Sequence, residues 1–241
     1  MDKNKEVANA IDSLLKKYRI EPIESKEFIP GCFLTDENDS GTYIPLQPWR
    51  YNRKFVELRR IVDSRTIEEP LMFRFCALGD KHRWTIDSLI YRECDLCEFL
   101  GDSAIVSVHA VLNETAGSVI AKLANGIICS VEIGAQLEKG AAMIDRHEII
   151  ARRGVASDIV VDTQIPQNSV YTFTGSGNRA YKDIDFELFG LDEPDIEFAR
   201  AVFDVCKNPA LQVAFIERHQ HLTALVDTIH QSNQLKKRID I

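Results

Sequence analysis

Val7, Ile11, Leu14, Leu15 and Tyr18 recur at three- and four-residue intervals, so the chain opens on an amphipathic helix over residues 1–18. The pattern then breaks. Residues 19–50 carry Pro22, Pro30, Gly31, Gly41, Pro45 and Pro48 around the acidic patch Asp36-Glu37-Asn38-Asp39, and read as an irregular connection or lid rather than a regular element. A second helix sets Phe55, Leu58 and Val62 on one face and stops before Pro70. From Leu71 the period changes to two: Leu71, Phe73, Phe75 and Ala77 alternate with Met72, Arg74 and Cys76, the signature of a strand. A third helix follows, with Ile86, Leu89, Ile90, Cys97 and Leu100 on one face and Gly101 placed to end it. Strand-like segments come next, at 104–112, 117–124, 127–135, 145–151, 155–163, 169–174 and 183–189. Between two β-branched runs, Asn125-Gly126 predicts a two-residue hairpin with both positions left-handed, and Gly154 predicts a similar one. Two helices close the chain: Ile196, Ala199, Phe203 and Cys206 line the first. Leu211, Phe215, Leu222, Leu225, Val226 and Ile229 line the second, and Pro209 separates the pair.

Helices gathered at both ends around consecutive hairpin strands indicate an α+β fold: a large, mainly antiparallel open β-sheet with helices packed on one face. Residues 1–241 read as a single domain, with residues 51–241 forming its sheet-and-helix body. The helices cover only one sheet face. Depending on register, the other carries Ile128, Ser130 and Glu132, or Val119, Ala121 and Leu123. An apolar sheet face needs a partner, so a homo-oligomer formed through this open face is expected.

Charge narrows the partners. Twenty-nine Lys and Arg against 37 Asp and Glu leave a formal charge of −8. Nucleic-acid binding draws its strength from cations that replace phosphate counterions, and the longest basic cluster, Lys236-Lys237-Arg238, is short, so nucleic acid is excluded. No run of about eighteen apolar residues exists to span a membrane, and the polar start Met1-Asp2-Lys3-Asn4-Lys5-Glu6 is no secretory leader. Six cysteines without framework spacing suit reduced thiols, and the expected location is the cytoplasm.

The motifs that could carry chemistry are few. Cys94-x-x-Cys97 falls inside the third helix with no second ligand pair, and reads as packed core thiols. His219-x-His221 puts two imidazoles on different sides of a helix, which does not suit a metal. Gly175-Ser176-Gly177 lacks a third glycine and a following helix, so it reads as a flexible loop rather than a phosphate cradle. Asp87, Glu93, Asp95 and Glu98 cluster on and near the third helix with Tyr91 and Arg92 between them. A pocket beside that helix could use them as acid and base groups, and solvated helix polarity explains them equally well.

The order of these elements resembles a known family. Arg50-Tyr51-Asn52, Phe55 through Ser64 and Ile67-Glu68-Glu69-Pro70 resemble the arginine-led helix and "sG.iGep" turn of the glucose–fructose oxidoreductase, inositol dehydrogenase and rhizopine-catabolism (Gfo/Idh/MocA) family. Asp87 through Asp102 is similar to its helix ending in "wllGd", and Val119 through Ile128 to its "v.l.f.nG.ig" hairpin. His147 through Ala156 resembles its "lei.GtkG.i" strand pair, and the last helix through Ser232 resembles its ending. The resemblance covers nearly the whole chain, but only the carboxy-terminal part of the family's architecture, without the Rossmann domain that binds the cofactor.

The resemblance implies a sheet domain for substrate binding and oligomerisation, and it permits a residue-by-residue check. The family's Glu-Lys-Pro motif has no counterpart; Asp2-Lys3-Asn4 is short and misplaced. Its proton-accepting histidine would fall on Tyr91 in one register and on Arg92 in the other. Arginine cannot act as a base, and a phenol is a poor one at neutral pH. No catalytic, cofactor-binding or metal-ligating residue is therefore assigned. The expected function is a binding or assembly module without autonomous redox activity, with Asp87, Tyr91, Arg92 and Asp95 lining a pocket for a sugar or cyclitol. The alternative is the substrate-binding half of a dehydrogenase, with NAD(P) brought by a Rossmann-containing partner chain.

Overall fold

The computed structural model describes residues 3–23, 26–35, 41–158, 169–174, 177–182 and 190–241. The acidic patch at 36–39, the strand expected at 183–189 and Gly175-Ser176 lie outside the described residues. The chain divides into two compact units, 1–52 with 183–221, and 53–182 with 222–241.

In the first unit, helices α1 (Lys3–Tyr18) and α4 (Glu193–Lys207) and the first part of α5 (Leu211–Leu235) enclose a core of Leu15, Ile44, Leu46, Val202, Val205 and Phe215. The stretch expected to be irregular contains two four-residue strands, β1 (Glu27–Pro30) and β2 (Tyr43–Leu46), paired in parallel. Strands this short show no readable alternation, and Pro30 and Pro45 mask them further. Short 3-10 turns follow each strand, at Gly31–Phe33 and Pro48–Tyr51.

The second unit holds the sheet. Its strands are β3 (Pro70–Asp80), β4 (Ile105–Leu112), β5 (Ala116–Leu123), β6 (Ile128–Leu137), β7 (Ile144–Ala151), β8 (Gly154–Ser157), β9 (Ser169–Thr174), β10 (Gly177–Lys182) and β11 (Ile239–Asp240). Among the described residues they lie in the order β10-β9-β8-β7-β3-β6-β5-β4-β11, and every neighbouring pair is antiparallel except β3 with β6. This is the α+β open sheet expected from the sequence. Helices α2 (Arg53–Asp63) and α3 (Ile86–Gly101) pack on one face, against Phe73, Phe75, Ala77, Val131 and Ile149, which are all but fully buried. Alternation makes this possible: inward positions bury Phe, Val and Ile while Met72, Arg74 and Glu132 point the other way.

Three turn expectations change in detail. At the β5–β6 turn only Gly126 is left-handed, at φ +96°. Asn125 instead uses its side chain, accepting from Ile127 N and donating to the Gly101 carbonyl, and so ties the turn to the end of α3. The left-handed residue closing α3 is Asp102. Gly101 is needed for close packing, since a Cβ there would lie 2.3 Å from Leu123 Cδ1. Gly154 sits in β8 because a Cβ would lie 2.4 Å from the Phe173 carbonyl of β9. Gly177, read as part of a flexible loop, instead begins β10, since hairpin pairing with β9 supplies order that local sequence does not.

The β4 edge of the sheet is closed. Ile239 and Asp240 pair with Val108 and Ser107, and Ala110 N donates to Ser232 Oγ at 3.1 Å. The Asn233 amide then acts as a substitute peptide group, accepting from Leu112 N at 2.8 Å and donating to Leu112 O at 3.3 Å. A strand edge whose groups are already paired offers no template for another strand. Among the described helices, none is long and apolar enough to cross a membrane.

Candidate functional site

Fourteen of the sixteen residues of α3 are buried, including Arg92, Glu93, Asp95 and Glu98. A buried charge is costly unless it is paired and hydrogen-bonded, so each of these side chains needs a partner. Glu98 has the Ile105 N–H, which donates to its carboxylate at 2.6 Å. Arg92 and Glu93 enter a larger cluster.

That cluster joins α2, α3 and the strands β7 and β8. Lys54, at the start of α2, places Nζ 2.8 Å from Asp145 Oδ2 and 3.1 Å from Asp158 Oδ2. The Arg92 guanidinium grips the Asp145 carboxylate with both arms, at 2.8 and 2.9 Å, and also bonds Glu93. The His147 ring bridges two carboxylates, with Nε2 3.0 Å from Glu93 and Nδ1 2.9 Å from Asp158. Phe55 and Phe75 meet the imidazole edge to face, with centroids at 4.6 and 4.8 Å. Lys54 and Arg92 lie over the Phe55 ring.

The hydrogen bonds fix the charge of the imidazole. A neutral ring donates from one nitrogen only, whereas here both nitrogens face carboxylates that can only accept, so His147 is the imidazolium. Burial by itself would push its pKa down; Asp145, Asp158 and Glu93 outweigh that and raise it to about 9. For Asp145, burial opposes ionisation, but Arg92, Lys54 and His147 hold the carboxyl well below its ordinary value. Asp158 is lowered against burial in the same way, by Lys54 and His147. Lys54, Arg92 and His147 thus face Glu93, Asp145 and Asp158, three cations against three anions.

Glu93, Asp145 and His147 each offer a ligand atom within 4.8 Å of the others, a spacing that could hold a metal ion. The donor chemistry does not fit one. Metal ligation needs a neutral imidazole, and Lys54 and Arg92 already occupy the carboxylate oxygens a cation would use. Nor can a buried imidazolium with both nitrogens engaged accept a substrate proton.

The four residues singled out in the sequence are dispersed. Arg92 joins the cluster. Asp87 is exposed at the start of α3, with its carboxylate 2.6 Å from His230 Nε2. Tyr91 and Asp95 are buried in α3. Lys54, Asp145, His147 and Asp158 were not read from the sequence. One signal was available, since Asp145 and His147 share the inward parity of Ile149 and Ala151 in β7. Charged residues at core positions of a strand announce a buried network. The cysteines of α3 form no disulfide, and burial raises the Cys97 thiol, which contacts Cys129 of β6.

The opposite sheet face has a different character. Met72, Ile120 and Val111 are 38%, 42% and 66% exposed, and the half-buried Ile128, Ile150, Val155 and Leu78 lie among them. A cleft of about 470 Å³ opens on this side, lined by Cys76, Leu78, Val111, Ala116 and Glu132 among others. Among the described residues, the charged side chains on the central strands of this face include Lys122, Glu132, Arg146 and the ion pair of Arg74 with Glu148.

No protein-family model and no curated protein matches the chain. Solved structures do. An oxidoreductase from Agrobacterium radiobacter, in complex with NAD+, L-tartaric acid and magnesium, superposes with a TM-score of 0.65 at 13% identity, over 100% of this chain and 78% of that one. An oxidoreductase domain protein from Kribbella flavida gives 0.63 at 13% identity, over 83% of this chain and 66% of its own. The myo-inositol 2-dehydrogenase of Lactobacillus plantarum gives 0.57 at 15% identity, over 83% and 65%. The chain thus spans less than two thirds of the last two. The likeness is one of fold, and the fold is that of the sheet domain of Gfo/Idh/MocA-type oxidoreductases, as the sequence motifs imply.

Proposed function

We propose that this chain, built on the fold of an oxidoreductase sheet domain, is an assembly module: two copies meet through the uncovered sheet face, and the chain performs no hydride transfer by itself. The observation that carries this reading is the contrast between the two faces. One is packed by helices and its buried charges balance; the other leaves Met72, Ile120 and Val111 exposed around the central strands. An exposed apolar patch on the open face of a sheet marks a surface that meets another. The closed β4 edge directs association to the face rather than to strand addition at that side.

The redox half of the reading rests on α3. Arg92, one of the two candidates for the family's histidine position, is engaged by Asp145 and Glu93. Tyr91, the other, is a buried phenol. The chain also has no dinucleotide fingerprint between a strand and a helix. NAD(P) is then not bound autonomously. Mostly buried cysteines that form no disulfide support a reducing, cytoplasmic setting.

A second reading follows from the neighbours, one of which is an inositol dehydrogenase. In it, the chain holds a sugar or cyclitol beside α3 and a separate Rossmann chain brings NAD(P). Two measurements separate the readings. At micromolar concentration the protein should sediment at twice its 27.3 kDa chain mass, and a monomer would remove the assembly reading. NAD(P)H added to the protein alone should show no change in cofactor fluorescence, and saturable binding would overturn the absence of autonomous redox chemistry.

A further inference from the structure

We infer that the two copies pack face to face about a two-fold axis running along β3, so that Arg146 of each copy meets Glu132 of the other. This rests on the assembly reading above and adds its register. β3 is the middle of the nine strands in the sheet order. On the uncovered face Cys76 of β3 stands opposite Arg146 of β7 on one side and Glu132 of β6 on the other. Both charges are exposed, and neither makes an ion pair among the described residues. One row toward the start of β3, Arg74 pairs with its own Glu148 at 3.2 Å, so that row brings no net charge. One row further, Ile150, Met72 and Ile128 form an apolar band across the same three strands.

A self-association must match this pattern with its own image. Rotation about an axis along β3 lays the β7 side of one copy over the β6 side of the other. Arg146 then faces Glu132 twice, Ile150 faces Ile128 twice, and Met72 faces its counterpart. The alternative in-plane axis, across the strands at this same row, would set Arg146 against Arg146 and Glu132 against Glu132, and like charges in contact disfavour an interface strongly. Packed sheets lie about 10 Å apart, a gap that extended arginine and glutamate side chains bridge together. The usual angle of about 30° between packed sheets moves groups one strand from the axis by only ~2–3 Å, which leaves both ion pairs within reach.

Charge reversal tests the register on the full chain. The dimer dissociation constant, read by sedimentation equilibrium, should rise about tenfold or more for R146E and for E132R, because each substitution creates two like-charge contacts. The double variant R146E/E132R should return to within about threefold of the wild type. Circular dichroism should show all three folded, since both positions are exposed. If the wild type is dimeric and the single variants associate as tightly, or if the double variant stays as weak as the singles, the register is wrong while the assembly stands. A monomeric wild type would overturn the assembly reading itself.

Discussion

Replacing Asp145 by asparagine is expected to cost about 3–5 kcal/mol of folding stability, the range for removing one member of a buried ion pair. Asp145 is the hub of the cluster: it holds both arms of Arg92 and the ammonium of Lys54. Without its charge, two cations and the His147 imidazolium face only Glu93 and Asp158. Ordinary domains are stable by about 5–15 kcal/mol, so this one change should remove a large part of the total. Urea unfolding followed by circular dichroism measures it. Adding Lys54→Met to Asp145→Asn should cost less than the sum of the two single changes, because the second substitution removes a cation that the first left unpaired. Strict additivity would show that the pair does not interact.

The second large effect is a loss of stability in alkali. His147 titrates near 6.5 when unfolded and at about 9 in the fold. A raised folded pKa gives a contribution that is complete below pH 6.5 and is lost as pH rises through 9. Linkage puts the total at about 3 kcal/mol. The carboxyls Asp145 and Asp158 are lowered, so their contribution is present above their ordinary value of 3.8 and is lost as pH falls below it. Stability should therefore be level between about pH 4 and 6.5 and should decline above that. Buried thiols such as Cys97, whose pKa is raised, add to the decline only near and above pH 9. The slope between pH 6.5 and 8.5 is thus the diagnostic of His147. A His147→Gln variant should start less stable and lose this slope; an unchanged slope would show that the imidazole is neutral in the fold.

These two effects arise where the sequence was least informative. Alternation placed Phe73, Phe75 and Ala77 in a strand, and helical spacing placed α1, α2, α3 and the two closing helices, because each pattern is complete within one segment. The charge cluster is not local: Lys54 and Arg92 lie 91 and 53 residues from Asp145 along the chain, and only folding brings them together. Tyr91 and Arg92 were singled out by the family resemblance along one helix, which fixes a position but not what packs on it. The pair β1 and β2 and the strand β10 escaped notice for a related reason. Their order comes from pairing, and their own residues carry little pattern.

Pairing also decides which side chains share the uncovered face, and the account stands or falls on that face. The most direct measurement is the sedimentation-equilibrium mass of the wild type beside a Met72→Lys variant, at matched micromolar concentrations. Met72 lies on the central strand, 38% exposed, and a lysine there would set charge against charge at the proposed axis. The wild type should be a dimer and the variant a folded monomer. Equal masses for the two proteins would contradict it.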